Sequence, residues 1–215
     1  MIRRLIPFVL FLPAALAAAD NLIVCDEIPA MQNLARQVET RLHQSTEITS
    51  QDKLPATLAG FRNVTVYIHG DLHEAAENAF IEYAKNGGNL VLLHHSISSG
   101  KRKNKAWLPF LGVTLPDKYR YIDDMTWDIV PASGGPPITM HETEIYLNHQ
   151  NDGNRTVLFG LNFTDPRTGD HFEQPIAAWT RKTERGTVWY FMPGHKASDF
   201  EYEPYVAVLM TAYRR

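Results

Sequence analysis

The chain has 215 residues and a formal net charge of −3 at pH 7, with 44% hydrophobic and 21% charged residues. That length supports one substantial core and is short for two, and the composition is that of a globular chain rather than a disordered one. The slight acidity excludes a dedicated nucleic-acid binder, which would carry a basic face, and a single cysteine, Cys25, excludes an intramolecular disulfide.

Arg3 and Arg4 precede an apolar run over residues 5–16, and small residues follow at Ala15, Ala17 and Ala19. This is the pattern of a secretory signal peptide over residues 1–19. We expect an exported chain, 20–215, folded as a single domain in the periplasm or outside the cell. The apolar run is shorter than the ~20 residues a membrane span needs, so no stable membrane insertion is expected after its removal. Cys25 follows Val24 inside an apolar run; that context argues against a lipid anchor and for a buried strand.

Residues 21–25 read as a buried strand ending at Asp26 and Glu27. The two carboxylates either start the next helix, where acidic groups suit the helix dipole, or contact a ligand. Pro29 fits a first helical turn, and Met31, Leu34, Ala35, Val38 and Leu42 make one apolar face through His43. Residues 46–50 read as a short strand. Residues 64–68 read as another, which delivers His69 to the same edge, where it either enters the site or, the commoner case, serves turn or capping chemistry. A helix over 73–85 stops at Gly87 and Gly88, since glycine takes the left-handed conformation at a helix C-terminus without steric cost.

The run 90–93 is apolar without alternation, as in a parallel strand buried on both faces. Strand, helix and strand then form a right-handed βαβ unit. Ligands of open α/β sheets bind beyond the carboxyl ends of such strands, and the residues delivered there are His94, His95 and Ser96. Lys101, Arg102, Lys103 and Lys105 read as a solvated turn. A short helix over 104–111 carries Trp107, and 119–130 reads as extended. Trp107, Tyr119, Tyr121 and Trp127 serve either the core or a sugar-stacking surface. If 136–148 is extended, Glu142 and Glu144 share a face. Residues 156–160 read as a strand, 169–174 as a loop, and 175–180 with 187–193 as a hairpin that delivers His195 after Gly194. A helix over 204–213 closes the chain.

Several of these segments together resemble one family. Gly87-Gly88 through His94-His95, Thr143-Glu144-Ile145-Tyr146, Pro175 to Thr180, Gly186 to Phe191 and Gly194-His195 occur in the order of the ThuA-like family, named after trehalose utilisation. The resemblance implies a fold similar to class I glutamine amidotransferases: α/β, a flavodoxin-like three-layer sandwich with a mainly parallel central sheet. In that fold the turn after the central strand carries a nucleophilic cysteine. Here it carries His94, His95 and Ser96, so glutamine amidotransfer through a Cys-His-Glu triad is excluded for want of a thiolate. Ser96 lacks the flanking glycines of a serine nucleophile turn. Many relatives also have a histidine soon after the first strand, where this chain has Asp26-Glu27.

Two function classes stay open. In one, an enzyme of disaccharide or keto-sugar catabolism uses His94, His95, Glu144 and His195 as acid/base groups, because imidazole titrates near neutrality and a carboxylate orients it. His95, Glu144 and His195 are also the set that would hold a divalent metal, with coordination positions left open for hydrolytic chemistry. In the other class the cleft is a non-catalytic sugar-binding or assembly module. The expected partner in both is a small carbohydrate, with Asp26, Glu27, Trp107 and Tyr146 as candidate contacts.

Overall fold

The structure, a computed structural model, describes residues 19–214; apart from Ala19, the expected signal segment lies outside them. The first half alternates β1 (Asn21–Cys25), α1 (Ile28–Leu42), β2 (Thr46–Thr49), β3 (Asn63–Tyr67), α2 (Glu74–Lys85) and β4 (Asn89–Leu93). Then come α3 (Trp107–Leu111), β5 (Val113–Thr114), β6 (Arg120–Pro131), β7 (Ile138–Leu147), β8 (Gln150–Asn151) and β9 (Thr156–Thr164). The chain closes with β10 (His171–Lys182), β11 (Thr187–Phe191) and α4 (Glu203–Leu209).

Nine strands form one sheet in the order β2-β1-β3-β4-β11-β10-β9-β6-β7. The strands from β2 to β11 in that order are mutually parallel, and each pairing beyond β11 is antiparallel. The connections out of β1 and β3 run in opposite directions along the sheet. Because each crossover is right-handed, α1 and α2 fall on opposite faces. Gln44 and Arg41 tie the end of α1 to the C-terminal segment through Tyr213 and Glu203, whereas α2 packs against α3. This is the α/β three-layer architecture the sequence indicates, with β4 buried along its whole length at the centre. Among the described residues no helix is long and apolar enough to cross a membrane.

Polar groups pin the amino edge of the parallel strands. Asn21, Asn63 and Asn89 stand side by side in register, each fully buried or nearly so. Asn63 donates to Asn21 at 2.6 Å, Asn89 to Asn63 at 2.7 Å, and Asn89 also to the Ala212 carbonyl. Every amide thereby finds a partner in the low-dielectric core, where an unpaired one would be costly. At the same edge Gly186 sits against backbone: a Cβ there would lie 2.2 Å from the Ala84 oxygen and 2.3 Å from that of Gly88. Gly186→Ala is therefore expected to cost about 3 kcal/mol, as overpacking against atoms that cannot move aside, read as a lower urea midpoint with unchanged slope.

The structure departs from the sequence expectations in four places. The segment expected to loop at 169–174 is largely strand, because β10 starts at His171 and pairs with β9, whose end reaches Thr164. The closing α-helix ends at Leu209 and tightens into a 3₁₀ turn over Met210–Ala212. Lys101 is not a solvated surface residue: it is fully buried, and its ammonium donates to the Ile68 and Gly70 carbonyls. Burial pushes its pKa down to about 8, partly offset by Asp26 and Asp71. Lastly, Glu142 and Glu144 do not share a face. Glu142 has the left-handed φ of 50°, which breaks the two-residue period, so Glu142 is exposed and Glu144 buried.

Candidate functional site

The site forms where β1, β3, β4 and β11 end. β4 turns out of the sheet at His94, whose φ of 36° is left-handed and strained for a residue with a side chain. That turn aims His94 and His95 away from the sheet and buries both. Register irregularities between Ile122 and Trp127 of β6, opposite Glu142, bend the last pair of strands. This bend carries Glu144 and Tyr146 of β7, last in the sheet order, onto the end of β4.

His94 donates from Nδ1 to the Met192 carbonyl, and its Nε2 stands 2.9 Å from Glu144 Oε1. Burial alone would raise the Glu144 pKa, but hydrogen bonds from His94, Asp123 and Tyr146 outweigh it and hold the group at about 2. The contact is a buried imidazole–carboxylate hydrogen bond. Tyr146 stacks on His94 at 4.5 Å and bonds His95 Nδ1 through its hydroxyl at 2.9 Å. Burial first, then the neighbouring imidazoles, drive the His95 pKa far below its ordinary value, so the ring stays neutral.

His195 follows β11, the parallel neighbour of β4. Its backbone carbonyl and that of Gly194 accept hydrogen bonds from Tyr67, and Asp199 fixes the loop by accepting from Thr143 Oγ1 and the Lys196 amide. The ring centroid lies 5.3 Å from His94 and 5.5 Å from His95, and Nδ1 is 3.9 Å from Glu144 Oε1. One ligand atom from each of His94, His95, Glu144 and His195 lies within 4.8 Å of the others. His95 Nε2 and His195 Nδ1 are buried without a hydrogen-bond partner among the described residues. The cleft above them encloses about 510 Å³ and is lined by Tyr119, Tyr121, Tyr146, Asp123, Glu144 and His195 among others, a size and mixture usual for small-molecule sites.

The remaining sequence candidates separate. Trp107 is fully buried and donates from Nε1 to the Ser96 carbonyl, so it braces the turn after β4 and does not meet the cleft. Ser96 spends its hydroxyl on the Val66 and Leu93 carbonyls. The carboxylates after β1 do not cap α1, which has no acidic residue in its first turn and no side-chain cap. Asp26 instead accepts the amides of His69 and Gly70 at 2.8 Å each, and Glu27 meets His69 and His95.

Sequence reading missed one site residue, Asp123, and ranked another, His69, below its place. His69, read more readily as turn chemistry, stacks on His95 at 4.3 Å. Asp123 lies in the cleft, where hydrogen bonding to Glu144, then burial, holds its carboxyl above the usual range. Two carboxyls pushed in opposite directions are a pattern of acid/base sites. No local motif marks Asp123; only the bend of β6 and β7 brings it to Glu144.

With the geometry in place, comparison with known proteins decides the family. The family model described as ThuA, trehalose utilisation, matches residues 17–214. The chain belongs to this family. ThuA members are thereby tied to carbohydrate at the level of the family. A ThuA-like protein from Bacteroides uniformis is 19% identical, with a TM-score of 0.61 over 95% of this chain and 94% of that one. One from Parabacteroides merdae is 13% identical, with a TM-score of 0.62 over 82% and 80%. A β-galactosidase from Rahnella sp. R3 gives 12% identity and a TM-score of 0.65 over 92% of this chain and 32% of that one. The chain thus spans about a third of the length of the β-galactosidase chains it matches. At these identities the likenesses establish the fold alone. None of the curated proteins matches the chain.

Proposed function

We propose that this ThuA-family chain is an exported protein that takes a disaccharide or oxidised sugar into the His/Glu cleft and handles its protons there, without glutamine amidotransferase chemistry. One observation carries the reading: the buried His94–Glu144 pair opens through Glu144 and the neighbouring His195 ring onto a cleft walled by tyrosines and carboxylates. Tyrosine rings offer apolar faces to sugar C–H groups and hydroxyls to sugar oxygens, while carboxylates accept from sugar hydroxyls. Within this reading Glu144, ionised down to about pH 2, orients the ligand and stabilises positive charge. The His195 ring, which lines the cleft beside Glu144, takes or gives the proton.

Calorimetric titration tests this. Trehalose, other disaccharides and their keto forms are the expected binders, with glutamine and nucleotides silent. The native state should gain about 2.7 kcal/mol at a ligand concentration of 100 Kd. Binding of glutamine with no response to any sugar would overturn the proposal. Conversion of a bound sugar separates an enzyme from a binding module.

A further inference from the structure

A second cluster lies beside the His94–Glu144 pair, and its donors suit a metal ion. The opposed crossovers out of β1 and β3 place a crevice between the ends of these neighbouring strands, the position where open α/β sheets bind ligands. Glu27 follows β1, His69 follows β3, and His95 follows β4, next in order. One ligand atom from each of the three lies within 4.8 Å of the others. Glu27 Oε1 is 3.1 Å from His69 Nδ1 and 3.9 Å from His95 Nε2. The second observation is independent of the cluster. His95 is only 1% exposed, and its Nε2, turned toward Glu27, has no hydrogen-bond partner among the described residues.

We propose that Glu27, His69 and His95 hold a divalent first-row transition ion of the zinc type, in a cluster that shares His95 with the His94–His95–Glu144–His195 group. Two imidazoles and a carboxylate are a recurrent three-ligand set that leaves positions open for water or a ligand oxygen. Ligand atoms around a tetrahedral zinc sit about 3.3 Å apart, from bond lengths near 2.0–2.1 Å, so the Glu27 spacings of 3.1 and 3.9 Å need to change by only a fraction of an ångström, while the His69 ring has to rotate. Outer contacts are in place as well. Tyr146 bonds His95 Nδ1 and fixes the ring, and Asp26 holds the backbone of the His69 turn through two amides. The His69 and His95 rings are now stacked, 16° from parallel, so one ion cannot lie in both ring planes. His69, with its side chain 62% exposed, turns to meet the ion.

The Glu144 group is the poorer metal site. Its carboxylate is already bonded to the buried His94 at 2.9 Å, and an ion there would have to displace that partner. The Glu27 carboxylate instead faces the exposed His69 at 3.1 Å and the Tyr67 hydroxyl.

The test is calorimetric titration of the untagged, chelator-treated full chain with Zn²⁺, together with Glu27→Gln, His69→Gln and His195→Gln. Glu27 and His69 are partly exposed, so those two variants should fold, as near-native thermal transitions would confirm. One equivalent of Zn²⁺ is expected on the parent chain, with binding weakened in Glu27→Gln and His69→Gln by more than the roughly 10- to 100-fold that loss of an outer-shell partner costs, and unchanged in His195→Gln. No Zn²⁺ uptake by the parent chain would overturn the proposal. So would a loss in His195→Gln as large as that in Glu27→Gln, which would move the ion to the Glu144 group.

Discussion

Between pH 7 and pH 4 the protein is expected to lose on the order of 5 kcal/mol of stability, roughly two protons' worth of linkage at about 1.4 kcal/mol per pH unit each. His95 and His149 are the source, and both are almost wholly buried. Burial pushes the His149 pKa down to about 4 and that of His95 lower still. In the unfolded chain each ring takes up a proton near pH 6.5, while the folded protein keeps both neutral. Below that pH the unfolded state binds more protons, so stability falls as pH falls. Glu144 adds to the loss further down: it stays ionised in the fold to about pH 2, whereas in the unfolded chain it takes up its proton at its ordinary pKa. Total stabilities are only about 5–15 kcal/mol, which places acid unfolding near pH 4–5. Denaturant midpoints measured across this range, with chelator present, check it; a flat profile from pH 7 to pH 5 would contradict the burial of these rings. His149→Gln should remove about half the slope between pH 6.5 and 4.

Glu144→Gln carries the second large effect. The substitution keeps the shape and an acceptor oxygen but removes the charge opposite the buried His94 ring, and breaking one side of a buried pair costs about 3–5 kcal/mol. Tyr146, stacked on His94 and bonded to His95, would lose the order of its surroundings. We expect a stability loss of about 3 kcal/mol and, if the cleft turns over its sugar, a fall of about 10²–10⁴-fold in rate, the usual worth of an acid/base group. Glu142→Gln, two residues away and exposed, should match the parent chain in both measurements. Equal behaviour of the two variants would remove Glu144 from the site.

What the sequence disclosed follows from how local each signal is. The apolar run Leu90–Leu93, the left-handed Gly87 and the two histidines after them lie within a dozen residues, and the strand-end rule needs no tertiary knowledge. The convergence of His94, His95, Glu144 and His195 follows from the same rule together with the family order of motifs. Other features depend on contacts distant in sequence. Lys101 sits in a basic run that reads as surface, yet its ammonium is drawn inside by carbonyls some thirty residues earlier. Trp107 has the composition of a sugar platform and the position of a brace. Glu142 breaks its strand's alternation through a backbone angle that residue type does not announce. Asp123 reaches Glu144 only because β6 and β7 bend together, and His69 meets His95 only because β3 and β4 are neighbours in the sheet.

A sugar held at the Glu144–His195 mouth of the cleft should be visible in a crystal structure of the chain with trehalose or its keto form. Sugar hydroxyls are expected within about 3.2 Å of Glu144 or His195, with a ring against Tyr119, Tyr121 or Tyr146. A sugar bound instead in the groove lined by Pro55, Phe61, Tyr83 and Gly88 at the opposite end of the sheet, with the His/Glu cleft left to solvent, would contradict it.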